Sequence, residues 1–139
     1  MNTKIYKEVF SLASDLMSCA NKQDQAGFDT CYAQLKKICD EHDNTDKDHP
    51  VQWEALADFT DDIELAIALY HKALSKAEAI NSKDYLSSIG YSTARLQVEF
   101  GDTAGAIASL EKAKINSNKI IDKELKAEIH DLLKELQDA

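Results

Sequence analysis

The densest concentration of chemically capable side chains in this sequence is acidic. From Asp48 to the residue before Lys72 there is no Lys or Arg, but six acids: Asp48, Glu54, Asp58, Asp61, Asp62 and Glu64. Glu54, Asp58 and Asp62 recur every fourth residue, so on a continuous helix they would share a face and repel one another by about 0.2–0.5 kcal/mol per pair. Such a cluster is tolerated more readily when a cationic partner neutralises it. Trp53, the only tryptophan, lies among these acids, and an exposed tryptophan is the kind of anchor that dominates interface energetics. Glu54, Asp58, Asp61, Asp62 and Trp53 are therefore the candidate partner-binding residues. The competing reading is structural: the acids cap helix amino termini, where the macrodipole favours them, and Trp53 fills the core.

Other chemistry is weaker. His42 and His49 flank Asp43, Asp46 and Asp48, and Cys39 precedes His42 by three residues, a set that would suit a divalent metal. The segment lacks the glycine and terminal glutamate of a calcium-binding loop, and one Cys-x-x-His pair falls short of a four-ligand zinc pattern. It reads as a solvated acidic loop, and no metal or cofactor is expected. His71 and His130 have no neighbouring Ser or Cys in a nucleophile motif. Ser87, Ser88 and Ser92 read as helix-packing or solvent-exposed positions. No glycine-rich phosphate loop, Walker lysine or dinucleotide fingerprint occurs, so the expectation is a non-catalytic protein.

Charge narrows the partner. With 25 acids against 16 bases, of which only Arg95 is arginine, the net charge is −9. Nucleic acid and anionic membrane need a basic face to bind phosphates, so neither is expected; a basic protein or peptide is the electrostatic match. The plainer alternative is that acidity only keeps the chain soluble. Cys19, Cys31 and Cys39 are odd in number and fall on predicted helices, which reads as reduced thiols in core or boundary positions and not as a secreted disulfide framework. The amino terminus has no apolar run of signal-peptide length, and charges interrupt every later stretch. A cytoplasmic location is expected.

The elements that would position these residues are helical. A length of 139 residues suits one domain, residues 1–139, and four Gly with a single Pro disfavour a turn-rich β fold. Apolar residues at helical spacing predict helices over about 3–21 (Ile5, Val9, Leu12, Ala13, Leu16, Ala20) and 25–42 (Phe28, Cys31, Tyr32, Leu35, Ile38, Cys39). Residues 43–50 read as an exposed loop, and Pro50 opens a short helix over 50–59 carrying Trp53 and Leu56 inward. The strongest stripe covers 62–80, with Asp61 and Glu64 as a capping-box-like start. Ser82 caps the next helix, whose inner face is Leu86, Ile89, Thr93, Leu96 and Phe100. Gly101-Asp102 turns the chain into helices over about 102–116 (Ala106, Ile107, Leu110, Ala113) and 119–138 (Ile121, Leu125, Ile129, Leu132, Leu136). Connections this short fold consecutive helices back as antiparallel hairpins. The predicted fold is all-α, about seven helices stacked as helical hairpins with a C-terminal capping helix.

Two of these helices repeat. Asp62-Ile63-Glu64-Leu65-Ala66-Ile67-Ala68-Leu69-Tyr70-His71-Lys72-Ala73 and Asp102-Thr103-Ala104-Gly105-Ala106-Ile107-Ala108-Ser109-Leu110-Glu111-Lys112-Ala113 share Asp, Ala-Ile-Ala, a large apolar residue and Lys-Ala. An alanine one turn before a large side chain lets two helices approach closely while the large residue fills the neighbouring gap. A third copy lies upstream in one of two registers: Ala26 and Ala33 align directly, or a two-residue shift sets Phe28 and Tyr32 against Ala66 and Tyr70. The pattern resembles the second helix of a tetratricopeptide repeat, and Gly101-Asp102 is similar to that family's Gly-Asp turn. The family's first-helix Trp, Leu-Gly and Tyr positions match poorly here, and no Pro follows either copy. The resemblance implies a stack of helix pairs with a concave peptide-binding face.

The functional expectation is an interaction module that binds a basic protein or peptide. One alternative is an immunity or antitoxin protein that neutralises a basic toxin. The other is a metal-dependent regulator or enzyme using His42, His49 and the acids between them.

Overall fold

A computed structural model describes residues 2–139. The described residues form seven α-helices and no strand: α1 (Thr3–Lys22), α2 (Gln25–His42), α3 (Pro50–Asp58), α4 (Ile63–Ala79), α5 (Lys83–Phe100), α6 (Thr103–Ser117) and α7 (Lys123–Asp138). Helices adjacent in the chain pack as hairpins. The odd-numbered helices also touch in series, α1 to α3, α3 to α5 and α5 to α7, whereas among the described residues no two even-numbered helices meet. The result is an inner row of odd helices backed by the even ones.

Three of the turns use one device. Gln23, Asn81 and Gly101 take left-handed backbone angles, and the next residue, Asp24, Ser82 or Asp102, donates its N–H back to a carbonyl five residues earlier at 2.8–3.0 Å. The same three residues then cap the following helix with their side chains. A helix stop and a helix start are thus fused into two residues, which fixes the hairpins tightly. Glycine makes this conformation cheap at residue 101; Gln23 and Asn81 adopt it against a steric penalty that the packed hairpins offset.

The core is consistent with a helical repeat, and burial on α2 follows the shifted register. Ala66, Tyr70 and Ala73 on α4 and Ala106, Leu110 and Ala113 on α6 are all buried. On α2, Leu35 and Cys39 are fully buried and Phe28 and Tyr32 pack against them, whereas Ala26 and Ala33 are exposed. The shifted register, with Phe28 opposite Ala66 and Tyr32 opposite Tyr70, is the structural one. One apolar cluster joins α1 to α5, and a second lies between α5, α6 and α7.

Several expectations need correction. Helix α4 is capped by Asp62, whose carboxylate accepts the Leu65 N–H at 3.0 Å, and not by Asp61. Helix α7 starts at Lys123; in the preceding turn Ile120 is buried and Ile121 is 94% exposed, so the apolar face begins one residue earlier and Leu133 joins it. Phe100 and Ala20 face outward. The segment between α2 and α3 is not a free loop, because Lys72 and Lys76 of α4 reach across to Asp43 at 2.6 and 2.7 Å, and Lys76 also meets Asp48 at 2.7 Å.

Candidate functional site: a carboxylate-lined groove on the inner row

Helix α3 lies between α1 and α5 and touches both, so its outward face forms the floor of a groove. Pro50 starts this helix and His49 caps it, accepting the Val51 N–H on Nδ1 at 3.1 Å. With that start, Gln52, Trp53, Leu56 and Ala57 turn inward, and Glu54 and Asp58 come up one turn apart beside α5. Ser88 of α5 donates to Glu54 Oε2 at 3.0 Å, and Tyr70 of α4 donates to Asp58 Oδ1 at 2.5 Å. Ser92 sits beside the same Tyr70 hydroxyl. Beyond Asp58 the groove opens into a cleft of about 570 Å³ lined by Met17, Phe59, Tyr70, Arg95, Leu96 and Glu99 among others.

The electrostatics of Glu54 and Asp58 are unusual for this molecule. Burial raises Glu54 to about 7, the Asp58 charge adds to the effect, and the Ser88 hydrogen bond opposes it. Asp58 stays reachable from solvent on its outer side, yet the helices crowding its carboxyl push it above the ordinary range, against the pull of the Tyr70 bond. Among the described residues no Lys, Arg or His forms an ion pair with either acid.

Asp43 and Asp48 make the contrast. Hydrogen bonds from Lys72 and Lys76 hold Asp43 below its usual value. Burial alone would raise Asp48, but Lys76, the Asn44 N–H and the Trp53 indole together lower it. Lysines pair with Asp43 and Asp48, whereas Glu54 and Asp58 meet neutral hydroxyl donors only. Hydroxyls soften but do not cancel a buried negative charge.

The five sequence candidates therefore separate. Glu54 and Asp58 share the groove. Asp61 is exposed at the α1–α2 end, beside Gln23 and Asp24, and Asp62 is the α4 cap. Trp53 is a core residue: it is 2% exposed, its Nε1 donates to Asp48 Oδ1 at 2.8 Å and Lys72 Nζ stands 4.3 Å from its ring centre. The histidine–aspartate set also disperses. Val51 N–H occupies His49 Nδ1, the carboxylates of Asp43 and Asp48 face lysines, and among the described residues no three His, Cys, Asp or Glu side chains converge as metal ligands. Burial pushes the Cys39 thiol up to about 12, and the thiol donates to the Gln52 carbonyl at 3.2 Å, which makes it unreactive.

Sequence reasoning missed Tyr70, Ser88, Ser92 and Met17 as groove residues. A signal was present: Glu54 and Ser88 stand 34 residues apart, as do Asp58 and Ser92, so two matched i,i+4 pairs face each other across α3 and α5. Compared with known proteins, the chain matches no family model, no curated protein and no solved structure. Among the described residues no helix is long and apolar enough to cross a membrane.

Proposed function

We propose that this protein is a non-catalytic, tetratricopeptide-like interaction module that binds a basic protein or peptide along its inner row of helices. One observation carries the reading: crowded Glu54 and its neighbour Asp58, which opens to solvent, meet no cation, while Asp43 and Asp48 are held by two lysines. A fold gains nothing in stability from an unpaired, desolvated carboxylate; a partner's Lys or Arg would complete the pair and be strongly discriminated from a neutral side chain. The repeat-like architecture supports it too. Inner helices α3 and α5 are registered at 34 residues through the Glu54–Ser88 bond, the usual length of that repeat. The outer helices are offset by 40 because α5 runs on to Phe100.

The test is affinity capture with the wild-type chain and with the Glu54→Gln, Asp58→Asn double variant, followed by identification of what is retained. The expected result is a partner with a basic surface that is lost from the double variant and released by raised salt, while the melting temperature of the variant holds or rises. A partner retained equally by both proteins, or one with an acidic surface, would refute the assignment.

A further inference from the structure

Helix α1 carries two apolar stripes side by side. Ile5, Val9, Leu12 and Leu16 turn into the core. Tyr6, Phe10, Ala13 and Met17 follow the same spacing one residue on; Tyr6, Phe10 and Met17 are exposed and Ala13 is half-buried. Phe10 is 68% and Met17 56% exposed, and Tyr6 stacks on Phe10 with ring centres 6.4 Å apart. A run of 4, 3 and 4 residues between apolar positions is the seam along which a second helix packs, and it extends for roughly 16 Å at 1.5 Å per residue. The seam is continuous with the groove. Met17 lines the same cleft as Asp58 and Glu99, and at the other end burial, with Glu54 and Tyr6 nearby, raises the Tyr85 hydroxyl, whose ring packs edge-on to His49.

We propose that this face seats an amphipathic helix of a partner protein, with its apolar edge on Tyr6, Phe10 and Met17 and a lysine or arginine on its flank reaching Glu54 and Asp58. The inference rests on the binding reading given above and adds the shape of the occupant. An extended basic strand would satisfy the acids but leave the α1 seam wet. A second copy of this chain is a poor occupant on charge grounds, since the net charge is −9 and the groove acids exceed its one cation, Arg95, which turns toward the Tyr91 ring 5.8 Å away.

The probe is a labelled peptide of two heptads with leucine at the a and d positions and lysine elsewhere, titrated by fluorescence anisotropy. Two controls accompany it: a peptide of the same composition whose leucines alternate with lysines in one run, off the helical seam, and one with glutamate in place of lysine. The lysine helix should bind, and each of two double variants, Glu54→Gln with Asp58→Asn and Phe10→Ser with Met17→Ser, should weaken it by at least about tenfold. The alternating peptide should bind at least about tenfold more weakly, and the glutamate helix not at all. Because Phe10 and Met17 are more than half exposed, their replacement leaves the core intact, and a thermal melt checks it. If both lysine peptides bind equally, with sensitivity to the acids but not to Phe10 and Met17, the acidic groove stands and the helix-docking inference falls. If no lysine peptide binds, or binding ignores Glu54 and Asp58, the binding reading falls and this inference with it. Self-association of the free chain that Phe10→Ser abolishes would assign the seam to a second copy and overturn the proposal.

Discussion

Replacing Glu54 by glutamine should make the protein more stable at pH 8 while weakening its hold on a cationic partner. Folding moves this carboxyl from 4.5 to about 7, chiefly by burial. At about 1.4 kcal/mol per pH unit, the interval sets a ceiling of about 3 kcal/mol on what ionised Glu54 costs the fold. The Asp58 charge contributes part of that and relaxes on its own, so a gain of about 1–2 kcal/mol is expected, or a rise in melting temperature of about 5 °C. Glutamine keeps the shape and an acceptor for Ser88. The sign follows from proton binding: between pH 4.5 and about 7 the folded state holds a proton that the unfolded state has lost. The favourable contribution of Glu54 is therefore complete below pH 4.5 and lost as pH rises through about 7. His49 works in the opposite sense, since burial holds its imidazole below 6.5 and its contribution is present above that value and lost as pH falls. The wild-type profile mixes these two groups with Asp58, which is also raised, and the difference between variant and wild type isolates what depends on Glu54. Urea melts at pH 5, 6, 7 and 8 supply that difference. It should be small at pH 5, where the loss has only begun, and grow to its full size by pH 8; a difference that is constant with pH, or a variant less stable than wild type at pH 8, would refute the desolvation argument.

Three further perturbations test the framework that positions the groove. Lys76→Met leaves Asp48, with a side chain only 8% exposed, facing no cation, and should cost about 3 kcal/mol in a urea melt at neutral pH, with the loss shrinking below pH 4 as Asp43 and Asp48 protonate. Asp62→Ala removes the acceptor for Leu65 N–H and should cost about 1 kcal/mol, whereas Asp61→Ala, which caps nothing, should leave the melting temperature unchanged. Ala66→Leu and Ala106→Leu each overfill a contact in which the alanine is at most 1% exposed and should each cost about 1–3 kcal/mol, while Lys119→Leu on the exposed surface should not; alanine variants as stable as wild type would remove the close-packing account of the repeat.

The fold was legible because its determinants are local. Residues that recur at helical spacing, such as Ile5, Val9 and Leu16 or Ala66, Tyr70 and Ala73, need only the chain itself to define a buried face, and the helix count, their order and most of their limits follow. Errors fell where local rules compete. Asp61 and Asp62 are equally good caps on composition, and the choice between them depends on how far α3 runs before α4 can start. The α6–α7 turn sets Ile120 inward and Ile121 outward, an order that periodicity alone leaves open by one residue. The left-handed stop at Gln23 carries neither glycine nor asparagine to announce it.

The site was half legible for a different reason. Six acids in one stretch mark a place where charge must be managed, but whether an acid is compensated depends on a lysine or serine some thirty residues away. Asp48 looks as exposed in the sequence as Asp58 does; Lys76 makes the first a structural strut, and the absence of any such lysine across α3 and α5 leaves the second to Tyr70 alone. Trp53 is buried in the apolar core shared by α1 to α5, with Asp48 on its indole N–H and Lys72 over its ring. Under the proposed function, what separates a scaffold acid from a binding acid is the side chain opposite it. Supplying that side chain within the chain should convert one kind into the other: a lysine at position 88 reaching Glu54 would relieve its desolvated charge, lower its pKa toward the ordinary carboxylate range and compete with any cationic partner. Ser88→Lys is expected to stabilise the fold at pH 8 and to abolish capture of a basic partner, and a variant that gains the stability yet binds unchanged would show that the groove acids are a packing compromise and not a contact surface.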